Sequence, residues 1–433
     1  MGNANVKGPP TPAQWHALAI FKMVLSIPSL LGSAFIIQHI VRSEARRQRV
    51  FSRLMLGMSL MDLIFAVYSS VGPLPCPQDP NTFLAHGTWA SCEAFGFLGQ
   101  ASQMSSMLYN AGLALYYLFT IRYQWPESQS KRWIEVPIHL VCFVVGWGTA
   151  LAALVLDLYN PSAAGCGIYA YPIGCDFLPG MECLRGKNAA SYQLGLFLYA
   201  AWAMSAFMAV CMLFIYAQVA KTEQTTVRFR RASSSYLSGN PLQEQDQRRM
   251  RITSLRRGFA TQALLYCLAF VLTWVFRVSG AMIVEYRNPP VFYYPIALLS
   301  VSMASLMGFF NACIYIRPRY LRYRRQEERR SRQRVILGEL ATNTNSNNNS
   351  DKNNNNVHRP QGSSNDWARE EFTLSTMEAV KKALDVNCLD DVDELLEMEE
   401  LQQADNHHHP EEEGGDNDND ATKEPVEVTG GSS

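Results

Sequence analysis

Residues 92–123 read CEAFGFLGQASQMSSMLYNAGLALYYLFTIRY and predict a membrane-spanning helix with one polar face. About 20 helical residues cross the hydrocarbon core of a bilayer, so the stretch is long enough to span it. Gln100, Gln103 and Asn110 are spaced by three and seven residues, which places them on the same side of a helix. Because amide side chains are unfavourable against lipid, this side is expected to face other helices or a cavity.

Six further apolar stretches of similar length accompany it, and together they predict an all-α membrane protein, a seven-transmembrane helix bundle. The predicted spans are 17–41, 54–72, 92–121, 135–157, 191–217, 259–284 and 292–316. The domain organisation that follows is a short extracellular N-terminus (1–16), a seven-helix domain (17–325) and a cytosolic tail (326–433).

The last part of the chain differs from the rest in composition. Residues 317–334 contain nine Lys and Arg residues and predict a short amphipathic helix lying on the anionic inner leaflet, so membrane lipid is an expected partner. Residues 343–356 are rich in Asn, and 335–433 hold 23 acidic residues against six basic ones. Such a segment buries too little apolar surface to fold alone, so most of the tail is predicted to be disordered.

The distribution of basic residues predicts the orientation. The connecting segments on one side of the bundle carry 26 Lys and Arg residues, and those on the other side carry four. Because cytosolic segments hold this excess, the N-terminus is predicted to be extracellular and the C-terminus cytosolic, in a multi-pass plasma-membrane protein. The outer segments also hold five cysteines, which fits disulfide formation in an oxidising compartment: Cys76, Cys92, Cys166, Cys175 and Cys183.

Three motifs carry a resemblance to a known family. They are GFFNACIY at 308–315, GWG at 146–148, and Trp274 followed by Arg277. With seven predicted spans, the chain resembles a G-protein-coupled receptor, and among those groups it is most similar to the cyclic AMP receptor-like family, related to the secretin and adhesion types. The resemblance implies a receptor that passes an extracellular small-ligand signal to heterotrimeric G proteins, with kinase and arrestin-like regulators.

Two departures distinguish the chain from rhodopsin-type receptors. The third span ends LFTIRYQW, without the Asp/Glu-Arg-Tyr triplet of rhodopsin-type receptors. Asn311-Ala312 stands where those receptors carry Asn-Pro. A disulfide from Cys92 to an outer-loop cysteine is expected, and the residues alone leave Cys166, Cys175 and Cys183 open as partners. The resemblance favours Cys175, because IGCDF at 173–177 is similar to the corresponding loop of the cyclic AMP receptors.

Candidate ligand-binding residues lie in the outer halves of three predicted spans, where a seven-helix bundle opens a pocket. Arg277 can pair with an anionic ligand, and the aromatic side chains can stack on a ring. The alternative is that Arg277 pairs with Glu285 and the aromatic side chains form an interfacial belt. The predicted set is Gln100, Gln103, Trp274, Arg277, Tyr293 and Tyr294. Lys22, near the outer end of the first span, is expected to extend towards the membrane interface.

Two groups of residues in the predicted cytosolic half of the bundle are candidates for signalling. Asp62 lies about 12 Å from the cytosolic end of its span at about 1.5 Å per residue, and Asn311 lies at a similar depth. With Asn110 and Tyr315 they form the predicted activation switch, although a static interhelical hydrogen bond is the simpler alternative. Predicted G-protein contacts at the cytosolic end are Arg122, Arg317 and Arg319.

Ser233 follows two arginines in RFRRASSSY and is a candidate phosphorylation site for a basophilic kinase. The alternative is that this stretch is only a solvated basic loop. Both interpretations leave the segment on the cytosolic side of the predicted topology.

Other functional classes fit the residues less well. A retinal-based sensor or pump needs a lysine in the last span for its Schiff base, and 292–316 contains none. A seven-helix protein without G-protein coupling, such as a scaffold, transporter or channel, remains the alternative to a receptor. The sequence shows no phosphate-binding glycine loop, metal-ligand cluster or nucleophile constellation, so we predict no enzyme activity, no cofactor, no metal and no nucleic-acid partner.

Overall fold

The structure is a computed structural model in which the described residues are predominantly helical. Arg277 and Tyr293 lie outside the described residues, and of Ser233 only the backbone is described. The described residues are 11–78, 83–162, 165–172, 175, 181–233, 253, 256–276 and 294–347, without the side chains of 223, 226–233 and 334–347.

Eight long helices make up the bundle and its C-terminal extension in the part of the chain that the structure describes. Their bounds are α1 (Pro12–Val41), α2 (Val50–Val71), α3 (Trp89–Ile121), α4 (Glu127–Val155), α5 (Ala189–Gln193, the π-helical turn Leu194–Tyr199 and Ala200–Ser233), α6 (Arg256–Phe276), α7 (Tyr294–Ser305) and α8 (Met307–Asn347). α1 begins five residues before the predicted start of the first span.

Length and composition identify most of these helices as membrane spans. Five helices are long and apolar enough to cross a membrane: α1, α2, α4, α5 and α6. α7 and the start of α8 together form a sixth span, which is bent by 50°. α3 is the seventh: its 33 residues reach about 50 Å at about 1.5 Å per residue, but its polar side chains lower its mean hydropathy. The result is a seven-helix bundle in a multi-pass membrane protein.

α3 lies at the centre of this bundle. It packs against α2, α4, α5 and the outer hairpin. In α3, 21 of 33 residues are buried, whereas in α1 only eight of 30 are. α3 is therefore enclosed by other elements, and most of α1 lies on the surface of the bundle. The amide side chains of Gln100, Gln103 and Asn110 are all buried.

The outer end of α3 is set by a capping residue. The Thr88 side chain accepts a hydrogen bond from the backbone N–H of Ser91 at 3.2 Å, and the Ser91 side chain accepts one from the backbone N–H of Thr88 at 2.8 Å. This reciprocal pair satisfies two N–H groups that the first helical turn leaves unpaired. The helix therefore begins at Trp89, three residues before the predicted span.

The last span is broken at Leu306, between α7 and α8. The break leaves the backbone N–H of Phe309 in need of an acceptor, and Ser29 Oγ on α1 accepts it at 3.1 Å. Satisfying this N–H inside the bundle allows an irregular turn at membrane depth. α8 then continues through Pro318 to Asn347, so it ends 13 residues after the predicted amphipathic helix 317–334.

The inner ends of α2 and α4 are joined by an ion pair. Arg53 donates to Glu135 through Nε and Nη2, the second bond measuring 2.6 Å, and Glu135 is buried. Arg53 Nη1 also donates to the backbone carbonyl of Arg47 at 2.9 Å. Because a guanidinium holds a carboxylate in a fixed two-bond geometry, this pair helps to position the loop between α1 and α2.

The loop after α4 forms a β-hairpin, and the disulfides of this loop differ from the predicted one. Strands β1 (Tyr159–Ser162) and β2 (Gly165–Ile168) are antiparallel, and β2 packs on α3. This places Cys166 beside Cys92 with a Cα–Cα distance of 5.3 Å, and the two are bonded. The prediction of Cys175 as the partner is wrong, because Cys175 follows the hairpin and pairs with Cys183, eight residues further on.

Candidate functional site

A buried carboxylate joins three helices in the inner half of the bundle. Asp62 on α2 accepts a hydrogen bond from Ser106 Oγ of α3 at 2.5 Å on one oxygen. Its other oxygen accepts from Asn311 Nδ2 of α8 at 2.7 Å. All three side chains are buried, and we name this group the inner cluster. Bonds to a charged acceptor in such surroundings are stronger than neutral ones, so the cluster ties α2, α3 and α8 together.

The other two predicted switch residues sit differently. Asn110 is buried one turn from Ser106 on α3, and its amide donates to the Ser106 carbonyl at 2.9 Å. Tyr315 lies one turn below Asn311, where its hydroxyl is 3.1 Å from His39 Nδ1 of α1 and 3.4 Å from Arg319 Nη2. The structure thus brings Asp62 and Asn311 together and places Tyr315 in a separate contact between α1 and α8.

The predicted outer pocket residues lie on α3, α6 and α7. Gln100 and Gln103 are buried on α3, and Trp274 is buried on α6, stacked on Phe270 and Phe197 at centroid distances of 5.8 and 6.4 Å. Within the described part of the chain, Gln100 Nε2 is buried without a hydrogen-bond partner. Tyr294 begins α7, which packs on α1. An unpaired buried donor is unfavourable until a ligand or water accepts from it.

Lys22 is a functional candidate that sequence reasoning placed wrongly. The side chain is buried in the bundle, and its Nζ lies 4.0 Å from the centroid of the Tyr68 ring. The Tyr68 hydroxyl in turn donates to the carbonyl of Cys166 on β2 at 2.6 Å. Lysine near a helix end usually extends to the interface, and only the position of Tyr68 beneath the hairpin indicates the inward direction.

The predicted G-protein contact Arg122 lies at the C-terminal end of α3. Its guanidinium lies over the ring of Phe214 on α5 at 5.2 Å and over Tyr123 at 5.7 Å. On α8, Arg319 lies over the Tyr315 ring at 4.5 Å, and Arg317 is exposed. Arg122 therefore lies where the end of α3 meets α5, and Arg317 and Arg319 lie in the first part of α8.

Comparison with known proteins identifies the fold. No family model matches the chain, and no curated protein matches it in sequence. Solved structures match in three dimensions, among them the crystal structure of squid rhodopsin, which covers 73% of this chain and 85% of its own with a TM-score of 0.52. The chain has a rhodopsin-like seven-helix fold. The sequence identity is 13%, so the likeness concerns the fold alone.

The bundle has two ends that carry different groups. One carries the disulfide-linked hairpin over α3, and the other carries the arginines and the Arg53–Glu135 ion pair. The inner cluster lies between them, inside the helices.

Proposed function

We propose that this protein is a G-protein-coupled receptor of the plasma membrane, with an extracellular N-terminus, that transmits binding of a small extracellular ligand to heterotrimeric G proteins. The observation that carries this proposal is the inner cluster: one carboxylate, Asp62, bonded to two neighbouring helices inside a rhodopsin-like bundle. An ion pair or hydrogen bond between helices that move relative to one another has a different energy in each arrangement. A ligand shifts such an equilibrium through its different affinities for the two states.

The ligand is expected to bind in the outer half, beneath the hairpin. Gln100 offers an unpaired buried amide donor, and Trp274 offers a stacked aromatic face. A small molecule with a hydrogen-bond acceptor and a flat apolar part fits these groups. Gln103, Arg277, Tyr293 and Tyr294 remain predicted members of this site.

The G protein is expected to bind at the inner ends of α3, α5 and α8. Two segments predicted on this side of the membrane are basic: 218–257 and 317–334 carry nine Lys and Arg residues each. The same segments favour anionic lipid on the inner leaflet. Phosphorylation at Ser233 would place negative charge beside Arg230 and Arg231 and so regulate access, with an arrestin-like protein as the expected reader.

The finer assignment to the cyclic AMP receptor-like family rests on GFFNACIY, GWG and the Trp274–Arg277 pair. This family assignment does not identify cyclic AMP as the agonist. A screen of small anionic, nucleotide and peptide ligands, with dissociation of each G-protein class as the readout in intact cells, tests the receptor assignment. No response in any cell background would favour the alternative of a seven-helix protein without G-protein coupling.

The orientation is tested separately from signalling. We expect an epitope before residue 11 to be stained on intact cells and an epitope at residue 430 to require permeabilisation, because the basic residues favour the cytosolic side. The opposite pattern would place the arginines outside and end the receptor proposal.

Arg122→Ala is expected to reduce G-protein coupling severalfold at unchanged surface level. The substitution removes the guanidinium over Phe214 but keeps the backbone N–H bond from residue 122 to Leu118 that ends α3. Arg132→Ala is the matched control, since Arg132 lies over Trp133 at 5.6 Å on the cytosolic end of α4, away from α5. Equal coupling by both variants and the unmodified protein would remove Arg122 from the proposed contact.

A further inference from the structure

Three cysteine side chains meet at the outer end of α3. Cys76 belongs to the loop between α2 and α3, Cys92 to the first turn of α3 and Cys166 to β2, and all three are fully buried. Their sulfur atoms lie within 4.8 Å of one another. The Cys92–Cys166 disulfide uses two of them, and Cys76 Sγ lies 3.2 Å from Cys166 Sγ. With only one thiol left, the group does not offer the several thiolates that a metal ion would need.

The backbone holds Cys76 in this position. Its N–H donates to the carbonyl of Pro73 at 2.9 Å, and its carbonyl accepts from the N–H of Gly87 at 2.8 Å. The backbone N–H of Ser162, at the end of β1, donates to the sulfur. The thiol is therefore fixed against the disulfide by contacts on both sides, so its approach to Cys166 is part of the fold.

The local electrostatics keep Cys76 protonated at rest. Burial raises the pKa of the Cys76 thiol to about 11, although the Ser162 hydrogen bond and the positive charge of Lys22 oppose the shift. Only the thiolate attacks a disulfide, so exchange at neutral pH proceeds through a minor species. Proximity therefore makes the exchange available, and the protonated state of Cys76 makes it slow.

We propose that Cys76 is an alternative disulfide partner of Cys166, so that the protein has two interchangeable covalent states at its outer surface. The Cys76 thiolate attacks Sγ of Cys166, the Cys92–Cys166 bond breaks, and the Cys76–Cys166 bond forms. Cys92 leaves as a thiolate and takes up a proton in place of the one that Cys76 released. The exchange is an isomerisation, so it consumes no oxidant and no reductant.

The two states anchor the hairpin to different parts of the bundle. In the first, β2 is bonded to α3, the central helix. In the second, β2 is bonded to the loop between α2 and α3, and the outer end of α3 is released from the covalent link. The hydrogen bond from Tyr68 to the Cys166 carbonyl is available in both states, because it uses backbone rather than sulfur.

Replacing Cys92 tests the proposal directly. In Cys92→Ser, we expect non-reducing peptide mapping, after free thiols are blocked with N-ethylmaleimide under acidic conditions, to recover a Cys76–Cys166 cross-link. The two disulfides join residues 90 and 74 positions apart, so they constrain the unfolded chain to a similar extent. The surface level of Cys92→Ser is therefore expected to stay within about twofold of the unmodified protein.

Matched variants separate this exchange from an ordinary loss of a disulfide. Cys166→Ser and the double variant Cys76→Ser/Cys92→Ser have neither bond, and we expect their surface levels to fall more than about fivefold. Cys76→Ser keeps the Cys92–Cys166 bond and is expected to match the unmodified protein. A Cys92→Ser protein without the Cys76–Cys166 cross-link, or with a surface level as low as Cys166→Ser, would overturn the proposal.

A measurement on the unmodified protein tests the exchange itself, without any substitution. After incubation in a glutathione redox buffer and quenching with N-ethylmaleimide, mass spectrometry reports which of the three cysteines carries the label. We expect label at both Cys76 and Cys92, on different molecules, and the Cys92-labelled share to rise during incubation. Label confined to Cys76 at all times would contradict the exchange.

Discussion

Gly146→Leu is expected to abolish most surface expression, whereas Gly148→Leu, two residues away in the same GWG motif, is expected to leave it unchanged. Gly146 is the position at which α4 approaches α3. A Cβ atom there would lie 2.0 Å from Ser105 Oγ and 3.1 Å from the carbonyl oxygen of Ala101. Ser105 Oγ also donates to the Cys142 carbonyl at 2.9 Å, so moving it aside would break the bond that links the two helices.

The two glycines form a matched pair because only one of them faces a neighbouring helix. Gly148 is exposed, with open space where its Cβ would lie, and leucine there would face lipid. Both substitutions replace glycine with leucine and gain the same intrinsic helix propensity, so propensity cancels in the comparison. Overpacking a close helix contact typically costs about 1–3 kcal/mol, and a whole leucine side chain is expected to separate α3 from α4.

Cell-surface labelling and detergent-extract thermal stability measure the difference. We expect Gly146→Leu to lose more than about fivefold of its surface level and Gly148→Leu to match the unmodified protein. Equal loss in both variants would show that a larger residue anywhere in the motif impairs membrane insertion of α4. Equal tolerance would show that α4 does not pack on α3 as closely as in the structure.

Much of the bundle follows from local sequence patterns. The apolar stretches give the spans, and the spacing of Gln100, Gln103 and Asn110 predicts a helix with a protected polar side, which is the most enclosed helix in the fold. Polar residues on a membrane helix reveal its packing because lipid excludes them. Asp62 and Asn311 could be matched in depth for the same reason, by counting helical residues from the cytosolic ends of their spans.

The remaining features depend on contacts between distant parts of the chain. Cys92 is bonded to Cys166 rather than to Cys175 because the loop folds into a hairpin. No local pattern in 158–190 predicts that turn. The break at Leu306 depends on Ser29, which accepts from the backbone N–H of Phe309, 280 residues further along the chain. The sequence does not distinguish Ser106 from the other serines of α3, since a serine on a membrane helix usually bonds its own backbone, as Ser102 does.

Asp62→Ala is expected to change basal G-protein signalling by about tenfold, at a surface level that remains measurable, with a smaller change in ligand affinity. The substitution leaves the Ser106 hydroxyl and the Asn311 amide without their shared acceptor, at about 1–3 kcal/mol for each buried donor. A difference of about 1.4 kcal/mol between two states changes their ratio tenfold. The size of the effect therefore reports how differently the resting and active arrangements use these bonds.

Ser106→Ala and Ser102→Ala provide the matched pair for this prediction. Both serines are buried on α3 and lie one helical turn apart, so the two substitutions remove the same atom from similar surroundings. Ser106 Oγ donates across to Asp62, whereas Ser102 Oγ donates to the Leu98 carbonyl of its own helix at 2.6 Å. Only Ser106→Ala is expected to shift basal signalling, because only that bond changes when α2 and α3 move.

A double-substitution cycle decides whether Asp62 and Asn311 act as one unit. If the 2.7 Å bond between them contributes to the switch, the effect of Asn311→Ala on basal signalling, normalised to surface level, should be much smaller in the Asp62→Ala background than alone. If the bond is equally strong in both states, neither substitution shifts the balance, and the inner cluster is a static link between helices. Independent, additive effects would show instead that each residue reaches the G-protein side through contacts of its own.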